Sequence, residues 1–300
     1  MIKPMSALYP TAALARGLLI LRRYAACLAL AMVPLSSAHA QSKDLPDGSY
    51  ADPVKARADQ KRSCEQGYPA SCTGLAIMLA NGEGGPKDLA GARSLFRRAC
   101  EGNSGYGTTS DGCHNLGIML EYGEGGGVDL AEARRFYSYA CSGGTTQACS
   151  RVGLMFYRGE GGPVDLPAAR GSWWRACQSS GDGKECNLYG LMVVNGLGGE
   201  VNPAEAGRAF ERGCELKDGG SCNQFGSMLV NREGGLLDLP KARQAYSGAC
   251  QLGIAEGCNN LGIMLANGHG GAVDLPGARS LFRRACDGGV ANACEAVKGL

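Results

Sequence analysis

Two patterns of hydrophobic and polar positions alternate along most of the chain. The first begins at a cysteine and places a large apolar residue three positions later, a small residue four, a methionine six and another apolar residue seven positions later, as from Cys72 to Leu79. Apolar residues at this spacing share one face of a helix. The pattern predicts a helix, here named the A helix, in six copies. Their methionines are Met78, Met119, Met155, Met192, Met228 and Met264.

The second pattern, named the B helix, opens with Asp or Asn, whose side chain can accept hydrogen bonds from the free N–H groups of a first helical turn. Alanine follows four residues after this cap, and in six of seven copies an aromatic residue follows eight after it, on the same helix face. The caps are Asp52, Asp88, Asp129, Asp165, Asn202, Asp238 and Asp274. The aromatic residues are Phe96, Tyr137, Trp173, Phe210, Tyr246 and Phe282.

Together the two patterns repeat every 36 or 37 residues, lengthened to 41 where the insert 101–112 lies. A fixed period of this size predicts stacked helical hairpins, because one hairpin cannot bury its apolar face alone. We therefore predict an all-α fold, an α/α solenoid of about six helix-turn-helix repeats over 52–300. A lone B helix would occupy 52–66, six A/B repeats about 70–288, and a short helix 291–300.

The N-terminus has the pattern of an export signal. Three arginines precede the apolar run 24–33, and the sequence AHA at 38–40 is a small-x-small cleavage site. The apolar run is too short to span a bilayer, which needs about 20 residues. We predict a signal peptide at 1–40, a linker at 41–51, a periplasmic or secreted protein, and no stable membrane insertion after cleavage.

Fourteen of the 15 cysteines follow the predicted signal, in seven pairs separated by 8 residues, once 9 and once 13. The first of each pair ends a B helix and the second begins the next A helix, so a bond would pin that turn. An even cysteine count in an exported chain predicts disulfides, and the C-x-x-C spacing of zinc sites is absent. The predicted bonds are Cys64–Cys72, Cys100–Cys113, Cys141–Cys149, Cys177–Cys186, Cys214–Cys222, Cys250–Cys258 and Cys286–Cys294. No metal site or cofactor is predicted.

The stretch NLGIMLANGHGGAVDLPGARSLFRRA at 260–285 carries the whole pattern. It is similar to the Sel-one-like repeat family, a relative of the tetratricopeptide repeats. The paired cysteines resemble those of one branch, the secreted cysteine-rich bacterial proteins of the Hcp type. This resemblance implies a right-handed solenoid, disulfides within each repeat, and a scaffold or adaptor function. It also implies an alternative, since proteins of that branch have been described as penicillin-binding and weakly β-lactam-hydrolysing.

The residues of a β-lactam hydrolase are not evident. A serine enzyme of this type needs S-x-x-K and K-T-G, and neither string is present. Ser180 and Lys184 lie four apart in a glycine-rich turn, which is a poor substitute. The two histidines beyond the signal, His114 and His269, lie about four repeats apart. We therefore predict no catalytic residue and a non-catalytic protein.

Several charged positions are expected to be solvated. An arginine follows five residues after six of the B-helix caps and is expected to pair with nearby acids, with a ligand-facing row as the alternative. These residues are Arg57, Arg93, Arg134, Arg170, Arg243 and Arg279. The carboxylates Glu121 and Glu124 lie at a helix end, where solvation is the usual state.

The charge balance and a row of asparagines indicate which class of partner the protein is expected to bind. Net charge falls from +2 to −2 when residues 1–40, with four basic and no acidic side chains, are removed, so no nucleic-acid partner is expected. Asparagines near the start of A helices can donate and accept at once, which suits the backbone of an extended peptide. A second indole beside the core tryptophan would offer a contact surface. The candidate binding residues, for which plain solvation is the alternative, are Asn115, Asn187, Asn223, Asn259 and Trp174. We expect a monomer that binds a protein or peptide.

Overall fold

The computed structural model describes residues 52–102, 109–179, 181–235 and 237–299. These residues form 14 α-helices and no strand, which confirms the predicted all-α class of stacked helical hairpins. The signal 1–40, the linker 41–51 and residues 103–108 of the insert lie outside the described residues. The helices are α1 (Pro53–Glu65), α2 (Pro69–Asn81), α3 (Leu89–Glu101), α4 (Ser110–Tyr122), α5 (Leu130–Ser142), α6 (Thr146–Arg158), α7 (Leu166–Ser179), α8 (Lys184–Val194), α9 (Pro203–Glu215), α10 (Gly219–Asn231), α11 (Leu239–Gln251), α12 (Ala255–Asn267), α13 (Leu275–Asp287) and α14 (Ala291–Gly299).

Odd-numbered helices are B helices and even-numbered helices are A helices. The chain forms two compact units, whose described parts are an N-terminal unit within 52–175 and a C-terminal unit within 176–299. A helices pack on the B helices that precede and follow them, as α4 does on α3 and α5 in the N-terminal unit and α12 on α11 and α13 in the C-terminal unit. No described helix combines the length and apolar character that crossing a membrane requires.

The B helices begin where the caps predict. Each of the seven cap side chains accepts a hydrogen bond from a backbone N–H two or three residues later, as Asp88 Oδ1 does from Gly91 N at 2.8 Å. Loss of such a cap typically costs about 1 kcal/mol. Repeated seven times, the caps set the register of every B helix.

The two helices of a hairpin approach closely because a small A-helix residue lies under the B-helix aromatic ring. A Cβ added at Gly117 would lie 2.8 Å from the ring of Tyr137, and one at Gly190 would lie 2.6 Å from that of Phe210. Five of the six methionines of the A-helix pattern are buried with these rings; only Met78 is partly exposed. The core therefore consists of the columns that the sequence pattern predicted.

All seven predicted disulfides are present, with Cα–Cα distances from 4.4 to 4.7 Å. Each joins the last turn of a B helix to the first turn of the next A helix. A loop of 8 residues closed in this way contributes roughly 2–3 kcal/mol in the chain-entropy account. The bonds thus reinforce repeats whose cores are built largely from small side chains.

The arginine column does not pair with acids as expected. Arg57, Arg93, Arg134 and Arg243 each donate to backbone carbonyls in the A–B connection of the following hairpin. Arg134 Nη1, for example, lies 2.8 Å from the carbonyl oxygen of Pro163. We name this contact the arginine clasp. It explains the glycine three residues after the start of the connection, since a Cβ at Gly126 would lie 2.6 Å from Arg93 Nη1.

Candidate interaction surface on the A helices

One side of each A helix faces away from its B partner. Residues three, four and seven positions after the second cysteine turn toward the B helix, so residues two, five and nine positions after it lie on the opposite side. We name this side the A surface. In the C-terminal unit these positions are Gln224, Ser227 and Asn231 on α10 and Asn260, Ile263 and Asn267 on α12, of which Ile263 is buried. The equivalent Leu188 and Leu191 on α8 are also buried, so the accessible part of the A surface lies on α10 and α12.

Three of the candidate asparagines follow the cysteine by one residue. This position lies about 100° from the B-facing side, in the seam between neighbouring A helices. Asn187 is 1% exposed and Asn259 is 7% exposed, whereas Asn223 is half-buried. The expectation that this row faces an open groove is therefore corrected for Asn187 and Asn259, whose amides lie in the interior of the seam.

Asn223 and Asn260 are brought together across neighbouring repeats. Asn260 Nδ2 donates to Asn223 Oδ1 at 3.0 Å, and both side chains are half-buried. Within the described ranges, the Nδ2 of Asn223 and the Oδ1 of Asn260 have no further hydrogen-bond partner. The pair therefore retains donor and acceptor capacity beside the A surface, which is the complement of a peptide group.

Asn187 occupies the same seam position one repeat earlier but lacks such a bond. Neither its Oδ1 nor its Nδ2 has a partner among the residues that the structure describes, although both atoms are buried. A buried polar group left unpaired costs about 1–3 kcal/mol. The buried, unpaired amide of Asn187 therefore lowers the stability of the fold.

Asn115 and Trp174 lie elsewhere. Asn115 follows Cys113 by two residues, so it shares the register of Asn260, on the A surface of the N-terminal unit. Trp174 is 45% exposed on the B helix α7, while Trp173 is fully buried. The indole of Trp174 therefore belongs to a different surface from the asparagines.

In the N-terminal unit the seam holds a charged cluster that the sequence interpretation missed. Arg151 donates to Glu121 through Nε and Nη2, the latter at 2.6 Å, and also contacts Glu160 at 2.6 Å. Tyr137 donates to the second oxygen of Glu121 at 2.9 Å. The side chains of Arg151 and Glu121 are 8% and 9% exposed, so the expectation that Glu121 is solvated is wrong. Opposite charges at seam positions of successive repeats were the available signal.

Burial and charge shift the titration of this cluster. Burial lowers the pKa of His114, and the nearby carboxylates of Asp111 and Glu121 oppose that shift only in part. Burial, the charge of Glu121 and the hydrogen bond to it raise the pKa of Tyr137 well above its usual value. Burial acts to lower the pKa of Arg151, but Glu121 and Glu160 outweigh it and the pKa is raised. Tyr137 and Arg151 thus keep their protons throughout the physiological range.

Two observations concern the residues considered for the hydrolase alternative. No group of three or more His, Cys, Asp or Glu side chains in the described part of the chain could hold a metal ion. Lys184 forms an ion pair with Asp182 at 3.0 Å, and Ser180 lies outside the described residues.

These features define a disulfide-bonded helical repeat protein of the scaffold class. The model of the Sel1 repeat matches residues 69–104, 110–145, 146–171, 186–218 and 255–290, more than half of the chain. The chain belongs to the Sel1 repeat family, whose members typically mediate protein interactions. The match leaves out the hairpin of α10 and α11, although these helices pack on each other like the others. No curated protein matches the chain.

Solved structures agree with the fold. The chain is similar to c5321, a protective antigen of uropathogenic Escherichia coli with an SLR fold, at 26% identity and a TM-score of 0.67, over 82% of this chain and 51% of that one. It therefore spans about half the length of that relative. A Sel1 repeat protein from Oxalobacter formigenes matches at 23% identity and a TM-score of 0.55, over 83% of this chain and 71% of that one. The cysteine-rich protein B of Helicobacter pylori matches 44% of this chain at 29% identity, over 95% of its own length, with a TM-score of 0.37.

Proposed function

We propose that the protein is an exported, non-catalytic scaffold that binds an extended peptide segment of a protein partner on the A surface of residues 176–299. The observation that carries this proposal is the hydrogen bond between Asn260 and Asn223. Each amide uses one group in the bond and keeps the other, so the pair can accept from one backbone N–H of a peptide and donate to one carbonyl.

The neighbouring residues suit main-chain recognition better than recognition of charge. Gln224 and Ser227 are half-buried beside the amide pair, and Asn231 is exposed one turn further along α10. All three are neutral hydrogen-bonding groups. A surface of this kind would tolerate many side chains in the partner and would bind by backbone contacts, with little dependence on salt.

Export is supported by the disulfides, because such bonds persist mainly in oxidising compartments. The pattern at 1–40 agrees with it but lies outside the described residues. We expect the mature protein to begin at Gln41 and to gain about fourteen hydrogens in intact mass on complete reduction, two for each disulfide. Several titratable thiols in the native exported protein would contradict this part of the proposal.

Peptide binding can be tested by selecting ligands for the exported protein from a library of displayed random peptides. Affinity for a selected peptide would then be measured for the double variant Asn223→Leu/Asn260→Leu. We expect the affinity to fall at least tenfold, which corresponds to about 1.4 kcal/mol. The matched control is Gln244→Leu, which alters an exposed amide on the B helix α11 and should leave the affinity unchanged.

The double variant must keep its helical spectrum and melting temperature for this comparison to count. Unchanged affinity in a folded double variant would show that the peptide binds elsewhere, with the surface around Trp174 as the next candidate.

The hydrolase alternative is tested separately with a chromogenic β-lactam. Turnover that persists through purification, and is absent from a mock preparation, would contradict a non-catalytic scaffold.

A further inference from the structure

Three B helices send a second arginine across to the preceding B helix. It lies ten residues after the cap and donates to the carbonyl oxygen of the first cysteine of the preceding disulfide. Arg98 Nη2 lies 3.0 Å from the oxygen of Cys64, Arg284 Nη2 lies 2.8 Å from that of Cys250, and Arg212 Nε lies 3.1 Å from that of Cys177. We name this position the arginine seat.

In α5 the seat residue is Tyr139, which cannot act as an arginine does. A phenol has one hydroxyl donor where a guanidinium has five N–H donors, and Tyr139 is 56% exposed. A pocket of about 590 Å³ lies at this place. It is lined by Cys100, Glu101, Ser110, Cys113, Tyr139, Ser142 and Gly143.

The pocket offers the environment that a cation prefers. Helices α3 and α5 both end at it, with Glu101 and Ser142 as their last residues, and helix C-termini carry partial negative charge. The N-terminus of α4 also lies here, but its free amides are partly satisfied by the side chain of Thr109, which accepts from Gly112 N. The ring of Tyr139 adds an aromatic face of the kind that binds guanidinium groups.

Two cations of the protein already lie nearby, and their charges are compensated. Glu101 contacts Arg97 at 3.2 Å and Arg135 at 3.7 Å. Glu132 binds both of these arginines as well, at 2.6 Å and 3.3 Å. The four side chains together are neutral, so the helix ends and the carbonyl groups set the preference of the pocket.

We propose that the pocket beside the Cys100–Cys113 disulfide binds a guanidinium group, in the position that the protein's own arginine fills in three other repeats. This site is independent of the A surface. Its ligand is either the arginine side chain of a protein partner or a free small guanidinium compound such as arginine.

The test uses the exported protein with the peptide Ac-Gly-Arg-Gly-NH2, free arginine, and Ac-Gly-Cit-Gly-NH2, in which neutral citrulline has nearly the same shape as arginine. Binding is followed by the NMR signals of the Tyr139 ring, assigned by their loss in Tyr139→Phe. We expect saturable shifts with the arginine peptide and at least tenfold weaker binding of the citrulline peptide. Equal affinity for free arginine indicates a small-molecule ligand, and at least tenfold tighter binding of the peptide indicates a protein partner.

Two variants test whether binding depends on the residue at the arginine seat. Tyr139→Arg fills the pocket from within and should weaken binding at least tenfold. Arg284→Tyr empties a further seat and should raise the number of peptides bound per protein by one, and Arg98→Tyr serves the same purpose if that variant does not fold. Equal binding of both peptides, absence of saturable shifts, or unchanged binding in Tyr139→Arg would each overturn the proposal.

Discussion

The seams between A helices have the same register in both units but different chemistry. In the N-terminal unit the seam holds the buried ion pair of Arg151 and Glu121, closed further by Tyr137 and Glu160. In the C-terminal unit the seam holds amides, paired at Asn223 and Asn260 and unpaired at Asn187. The repeat determines where a seam side chain lies, and the individual residue determines whether its polar groups are paired within the protein or left without a partner.

The largest effect should come from breaking the charged seam. Arg151→Leu leaves the carboxylate of Glu121 buried without its partner, and we expect a loss of about 3 kcal/mol in the free energy of unfolding. The measurement is urea unfolding at constant pH and ionic strength. The C-terminal unit supplies the matched replacement, because Leu188 and Val194 hold the positions that Arg151 and Glu121 hold in their own repeats.

The double variant Arg151→Leu/Glu121→Val should therefore recover most of that loss. Replacing both members of a buried pair by apolar residues is often neutral or stabilising, whereas removing one member is not. If the double variant were as unstable as the single one, the cost would lie in packing, and charge would not distinguish the two seams.

Replacing Asn187 is expected to raise the free energy of unfolding. Asn187→Leu removes a buried amide that has no partner in the described structure and replaces it by an apolar side chain of similar size. We expect unfolding to cost about 1–2 kcal/mol more in this variant, measured by the same urea titration. A loss of stability would mean that an ordered water satisfies the amide.

The arginine clasp provides a smaller comparison. Three clasps lie in the N-terminal unit, but in α9 of the C-terminal unit the clasp position holds Gly207. The A–B connection that follows has Arg232 at φ 60°, where several other connections have glycine, and forms a short 3-10 turn at Glu233–Gly235. A Cβ at Gly207 would meet only the end of Met228, at 3.8 Å.

Gly207→Arg should therefore stabilise the protein by about 1 kcal/mol, chiefly by replacing glycine within a helix and in addition by supplying the clasp. Hydrogen exchange of the amides at 232–235 separates these contributions, because only the clasp slows exchange there. Arg243→Gly is the matched control, since it removes a clasp of the same unit and should lose a similar amount. Gly207→Ala should gain helix stability without protecting the connection.

The sequence predicted what recurs in every repeat. The caps, the methionine and aromatic columns and the cysteine pairs each occur six or seven times, so their positions could be compared within one chain and their periodicity assigns them to helix faces. Trp173 illustrates this. Its place in the aromatic column of the B helices predicted that it is buried and that Trp174 lies outside that column.

The seam chemistry could not be predicted in the same way. Arg151 and Glu121 lie 30 residues apart, and Asn223 and Asn260 lie 37 apart, so each contact depends on how successive repeats stack. Each also occurs once, which leaves no column to compare. The arginine clasp did recur, but its acceptors are backbone carbonyls of the next hairpin, and these leave no side-chain pattern in the sequence.

The smallest effect should be a pH dependence confined to the charged seam. His114 lies one residue after Cys113, at the position that Asn223 occupies in α10, and burial lowers its pKa in the folded protein. Below the unfolded pKa of about 6.5 the unfolded chain therefore binds more protons than the folded one, so stability should fall as the pH drops from there toward the folded pKa. His114→Asn installs the amide of the other seam and should remove this slope. The comparison is made by urea unfolding of both proteins at pH 7.5, 6.5 and 5.5, and an identical slope in the two would assign the effect to groups other than His114.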